Sequence, residues 1–202
     1  MIKKAIFGGT FDPIHNGHLH IAYEALYKLD LDKVIFVPSS NPPHKLDENI
    51  TEVNLRYEMV KMAVSQEKSF CVSDYEIKND NLSYTYKTLE YFNELEKDTK
   101  WYFITGVDCL MDIEGWKNYE QVLKLCNFVT FNRPGYLIDD IKRKKYELEK
   151  KYDSNIIFLD IPLLDISSTN IRKLIQMDRN VSYLLPCNVY NMIKKLGLYK
   201  NK

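Results

Sequence analysis

The sequence predicts an α/β protein built on a doubly wound parallel sheet. Short β-branched or aromatic runs alternate with longer stretches of helical period, the pattern of parallel strands wrapped by helices. At 202 residues, with 45% hydrophobic and 28% charged side chains, the chain can also bury one substantial core. Six strands are expected, at Lys3–Phe7, Val34–Val37, Phe70–Ser73, Trp101–Thr105, Phe128–Phe131 and Ile156–Leu159.

Between the first two strands Leu19, Ala22, Tyr23 and Leu26 recur at i, i+3, i+4 and i+7, so a helix buries that face. Leu55, Met59, Met62 and Ala63 predict the same for a second helix. A third should run from Tyr84 to Glu96 and stop before the polar Lys97-Asp98-Thr99-Lys100. Lys142–Lys151 mixes charges of both signs, as a solvated helix face does. Pro186 can open a last helix that closes at Gly197. With neither repeat nor linker, residues 1–202 read as one Rossmann-like domain, strand order 3-2-1-4-5 with a sixth strand and a short C-terminal helical tail.

Charge and cysteine usage exclude several classes. Lys+Arg and Asp+Glu both number 28, so no bulk positive field exists to hold a nucleic acid. No apolar run approaches the roughly 20 residues of a membrane span, and Met1–Phe7 lacks a signal-peptide core, so a cytoplasmic protein is expected. Cys71, Cys109, Cys126 and Cys187 are widely spaced, which suits reduced residues better than a disulfide framework or a zinc site.

All four histidines, His15, His18, His20 and His44, fall in one short N-terminal stretch. Two of them belong to Gly8-Gly9-Thr10-Phe11-Asp12-Pro13-Ile14-His15-Asn16-Gly17-His18, between the first strand and the first helix. Such a loop lies at the carboxyl edge of a doubly wound sheet, where ligands bind. Gly8 and Gly9 let backbone approach a ligand, and the helix start offers N–H groups and a dipole suited to phosphate. His15 and His18, three apart, can project from one side of the first turn. Taken locally the same residues also read as a turn, a polar first turn of a helix, or a metal pair with Asp12 as the third ligand.

Near the other end, Ile166-Ser167-Ser168-Thr169-Asn170-Ile171-Arg172 sets hydroxyls and an arginine before an apolar helical period. A helix N-cap is one reading and a phosphate contact the other. Thr105-Gly106-Val107-Asp108 follows the fourth strand, which neighbours the first at the topological switch point, so Gly106 and Asp108 should face Gly8-Gly9.

The first string resembles the H-x-G-H signature of the nucleotidylyltransferase superfamily, and Ile-Ser-Ser-Thr-x-Ile-Arg resembles its second motif. That resemblance implies adenylyl transfer from ATP, with His18, His15 and Arg172 as catalytic residues. It implies ATP contacts from Gly8, Gly9, Thr10, Phe11, His15, His18, Gly106, Asp108, Ile166, Ser167, Ser168, Thr169 and Arg172. Mg²⁺ is expected with the ATP phosphates, bound through substrate oxygens and water and not by a metal site of the protein.

Four further segments at the same sheet edge narrow the family: Asn41-Pro42-Pro43-His44-Lys45, Ser83-Tyr84-Thr85, Gly115-Trp116-Lys117 and Arg133-Pro134-Gly135. Together they resemble bacterial nicotinate-nucleotide adenylyltransferase over essentially the whole chain. The implied partners are ATP and nicotinate mononucleotide, with neither nucleic acid nor membrane, and self-association is left open. The implied acceptor contacts are His44, Lys45, Tyr84, Thr85, Trp116 and Arg133: Trp116 against the cationic pyridine ring, the helix start at Tyr84-Thr85 for its carboxylate, and Lys45 and Arg133 for phosphate. Trp116 also reads as core filler, Thr85 as a cap and His44 as a loop residue. A pantetheine-phosphate adenylyltransferase shares the first motif, and a non-catalytic adenine-nucleotide sensor could keep the fold. Cys109 departs from the polar residue expected in that family after Asp108.

Overall fold

The computed structural model describes residues 1–41, 50–79, 83–132, 135–162 and 164–200. Six strands form one sheet: β1 (Ile2–Gly9), β2 (Lys33–Pro38), β3 (Phe70–Val72), β4 (Thr99–Gly106), β5 (Asn127–Phe131) and β6 (Ile156–Leu159). Their order is β3-β2-β1-β4-β5-β6 and every pairing is parallel. The predicted order holds, and the sixth strand extends it beyond β5.

The sheet separates two apolar layers, because successive side chains of a strand point to opposite faces. Ala5 and Phe7 of β1 pack with Phe36, Ala22, Leu26 and Met59 on one face. Ile6 packs with Ile35, Phe103, Leu89 and Phe92 on the other. The first layer is covered by α1 (Asn16–Lys28), α2 (Val53–Val64), α7 (Ser168–Gln176) and α8 (Cys187–Leu196). The second is covered by α3 (Thr85–Leu95), α4 (Val107–Met111), α5 (Tyr119–Leu125) and α6 (Ile138–Tyr152). None of the described helices is long and apolar enough to cross a membrane.

Four local expectations change. Gly8-Gly9 is not a loop: β1 runs through both, paired with Val37 and Pro38, so the ladder outlasts the β-branched run that marks the strand in sequence. β4 likewise absorbs Thr99 and Gly106, and Val107 starts α4 with no intervening turn. The buried stripe of α2 is Arg56, Met59, Val60 and Val64, so of the four apolar residues expected there only Met59 is buried. A guanidinium takes part of that stripe because backbone carbonyls satisfy it there. The C-terminal helix is no appendage: Val189 and Ile193 of α8 belong to the core, and Asn188 donates to the carbonyl of Met62 on α2 at 2.6 Å. The mixed-charge stretch lies within α6, which buries only Ile141 and Leu148.

Candidate active site

At the carboxyl edge of β1 and β4 a cavity of about 470 Å³ opens between the two helix starts of α1 and α7. All thirteen residues expected on the ATP side line it, from Gly8 and Gly9 through His15, His18, Gly106 and Asp108 to Arg172. Residues from opposite ends of the chain meet there because parallel pairing of β1 with β4, and of β4 with β5, brings their ends to one edge.

The first motif is built from the strand outward. Phe11 takes a left-handed backbone, φ +49°, and turns its ring back over Gly9. The ring is 2% exposed and meets Phe7, Phe36 and His18 at centroid distances of 5.7, 5.9 and 5.0 Å. His15 caps α1 from an extended backbone and is buried. Its ring stacks on that of His18 at 3.6 Å, so the two imidazoles do share one side of the first turn. The backbone N–H of His15 donates to His18 Nδ1 at 3.2 Å. An acceptor Nδ1 carries no proton, so the His18 ring donates through Nε2. Gly17 leaves room beside them: a Cβ there would lie 3.0 Å from His15 Nδ1, so the ring would have to give by a few tenths of an ångström.

The second motif closes on the first. Ser167 caps α7, its Oγ accepting from the Asn170 N–H at 3.2 Å. Ser168 Oγ donates to the Pro13 carbonyl at 2.9 Å, and Arg172 Nη1 donates to the Asp12 carbonyl at 2.7 Å. The cap reading of Ser167 therefore holds locally, while Ser168 and Arg172 tie α7 to the loop between β1 and α1. The cavity thus receives two helix N-termini and a guanidinium fixed at one corner, an arrangement suited to a polyanion.

Two further residues support the site from outside both motifs. Arg56 is 1% exposed; its Nη1 donates to the Thr10 carbonyl at 2.7 Å and its Nε to the Thr51 carbonyl at 2.8 Å. Burial pulls its pKa below the usual arginine value, opposed by the charge of Asp12. Its rarity was a usable signal, since the chain has five arginines and this one interrupts an apolar helical stretch. His20 lines the cavity and shares a 2.8 Å hydrogen bond with the Pro162 carbonyl.

Of the acceptor-side residues, Tyr84, Thr85 and Trp116 do not line this cavity. Tyr84 caps α3 and Thr85 is its first residue; Tyr84 borders a smaller pocket of about 170 Å³ with Glu76, Ser83 and Thr88. Burial raises the Glu76 carboxyl above the usual range although Thr88 Oγ1 donates to it at 2.7 Å. Trp116 is half-buried, edge-on to Phe103 and Phe128, and borders an open depression of about 630 Å³. Lys117 Nζ sits 4.8 Å from the centroid of the Tyr84 ring, so these two segments are neighbours. His44, Lys45 and Arg133 lie outside the described residues.

The family model described as "Cytidylyltransferase-like" matches residues 6–174. A Clostridium novyi protein named a probable nicotinate-nucleotide adenylyltransferase is 62% identical over 200 residues, 99% of this chain and 100% of the relative. One of the same name from Clostridium kluyveri is 57% identical over 203 residues, again 99% and 100%. Among solved structures, Plasmodium falciparum nicotinic acid mononucleotide adenylyltransferase complexed with NaAD shares the fold, with TM-score 0.81, 22% identity and 98% of each chain covered. Because the likeness to the Clostridium proteins spans nearly the whole of each chain, this chain belongs to the nicotinate-nucleotide adenylyltransferase family.

Proposed function

We propose that this protein transfers the adenylyl group of ATP to nicotinate mononucleotide, yielding nicotinate adenine dinucleotide and pyrophosphate. The observation that carries it is the convergence of stacked His15 and His18, two helix N-termini and Arg172 on one cavity. In this reaction an acceptor phosphate oxygen bonds to the α-phosphorus of ATP as the bond to the bridging oxygen breaks, and pyrophosphate leaves with the electron pair. The acceptor's second phosphate pKa is about 6, so no general base is needed at neutral pH. What the reaction needs is alignment and stabilisation of charge on the phosphates.

His18 supplies Nε2–H to the phosphates, while its Nδ1 is held by the His15 backbone. Arg172, anchored on the Asp12 carbonyl, neutralises the departing pyrophosphate with its remaining N–H groups. Gly8, Gly9 and Gly106 admit the nucleotide along the strand ends. Among the described residues no group of three His, Cys, Asp or Glu could hold a metal ion. Mg²⁺ would enter on the ATP phosphates, where Asp108 at the cavity wall could hold it through water, and it would supply charge neutralisation there. The acceptor ring and carboxylate are read by Trp116 and the α3 start at Tyr84-Thr85, and the sequence motifs add His44, Lys45 and Arg133 as proposed acceptor contacts. A cytoplasmic setting is part of the same proposal, supported by the free thiols of Cys71, Cys126 and Cys187.

The test is pyrophosphate release from ATP with nicotinate mononucleotide, nicotinamide mononucleotide or pantetheine phosphate as acceptor. Rapid release is expected with the first; its absence there, or faster release with pantetheine phosphate, refutes the proposal.

A further inference from the structure

The segment after α8 returns to the first motif. Tyr199 sits in a left-handed backbone, φ +67°, a conformation that a bulky residue keeps only where its surroundings fix it. Its hydroxyl donates to Asp12 Oδ1 at 2.7 Å, across 187 positions of sequence. Asp12 is 4% exposed. Its Oδ2 accepts from the Thr51 N–H at 3.2 Å, and its carbonyl accepts from Arg172 at 2.7 Å. The buried Arg56 guanidinium ties the Thr51 and Thr10 carbonyls together beside it. One aspartate therefore joins four parts of the chain: the C-terminus, the loop between β1 and α1, the approach to α2, and α7.

Tyr199 does not line the cavity, so any influence it has on a ligand there runs through other residues. Asp12 lines it, and Arg172 lines it while resting on the Asp12 backbone. We propose that Tyr199 is a positioning residue for the triphosphate: by donating to Asp12 it fixes the loop Thr10–Pro13 and, through the Asp12 carbonyl, the Arg172 guanidinium. The inference rests on the cavity being the ATP site. Burial and the charge of Asp12 both push the phenol pKa up, so the hydroxyl keeps its proton, and remains a donor, throughout the neutral range.

The experiment measures ATP affinity by calorimetry, without acceptor, for the full-length chain and for Tyr199→Phe, which keeps the ring and removes the hydroxyl. A hydrogen bond to a charged group is lost, so affinity for ATP should weaken by about tenfold, with KM for nicotinate mononucleotide changed by less than about twofold. Ile193→Ala, in the core face of α8 and 3% exposed, controls for general loosening. It should lower the melting temperature yet keep ATP affinity within about twofold of wild type below its transition. Unchanged ATP affinity in Tyr199→Phe, or an equal loss in Ile193→Ala, overturns the proposal. Because ATP binding is read without acceptor, a wild-type chain that binds ATP but ignores nicotinate mononucleotide refutes only the acceptor assignment. One that does not bind ATP refutes both.

Discussion

Replacing Gly9 by Ala should injure the protein through one ring. In a strand this exchange normally stabilises by about 0.5–1 kcal/mol, since glycine loses more backbone entropy on folding. Here the new Cβ would lie 2.9, 3.1 and 3.2 Å from three atoms of the Phe11 ring, all inside the 3.4 Å lower limit of ordinary contact. The ring has little room to retreat, being 2% exposed and packed on Phe7, Phe36 and His18. Overpacking of this kind costs about 1–3 kcal/mol, so the net loss should be about 1–2 kcal/mol. For a chain of this length that lowers the melting temperature by roughly 2–8 °C. Activity should fall as well, because the ring moves against His18. Thermal melts and pyrophosphate release on Gly9→Ala, Phe11→Leu and the double variant provide the assay. With the ring gone, Gly9→Ala should cost less than about 0.5 kcal/mol, giving a coupling near 1 kcal/mol. A Gly9→Ala protein that melts like wild type, or a Gly9→Ala loss that is just as large when Phe11→Leu is also present, would refute the reasoning.

Three further outcomes are expected. His18→Ala should lower kcat by about a hundredfold or more, as for loss of one oxyanion-type donor, and lower the melting temperature by a few degrees through loss of its bond to the His15 N–H and of the ring stack; near-normal kcat would remove His18 from the chemistry. Trp116→Ala should raise KM for the acceptor and leave KM for ATP nearly unchanged; equal loss for both would mark the indole as core, in line with its contacts to Phe103 and Phe128. Glu76→Gln should raise the melting temperature at pH 7.5 and leave it nearly unchanged at pH 4. The folded-state pKa of Glu76 is raised by burial, so its contribution is favourable below the ordinary carboxylate pKa and is lost as pH rises through the folded value. The amide oxygen of Gln can still accept from Thr88, and an unaltered melting temperature at pH 7.5 would contradict the burial cost.

Strand interiors were legible because their apolar and β-branched residues are set by burial on both faces of a parallel sheet, as at Val34–Val37. The strand ends at Gly8, Gly9 and Gly106 were not, because ladder pairing there comes from the neighbouring strand and not from side-chain pattern. The buried stripe of α2 departs from the apolar period at Arg56 for a related reason. A buried guanidinium is invisible to hydrophobic period, and the carbonyls that satisfy it come from residues as distant as Thr10.

By itself the sequence determined the alternation of strands and helices, from which the sheet order is expected, and the two motifs that line one cavity, since each motif is a local string whose residue types dictate its chemistry. Tertiary structure alone decided that Ser167 caps a helix while Ser168 and Arg172 clasp the Asp12-Pro13 backbone. It alone brought Tyr199 onto Asp12. Those bonds join segments whose proximity follows from packing α7 and α8 on the same face of the sheet, and no local propensity encodes that.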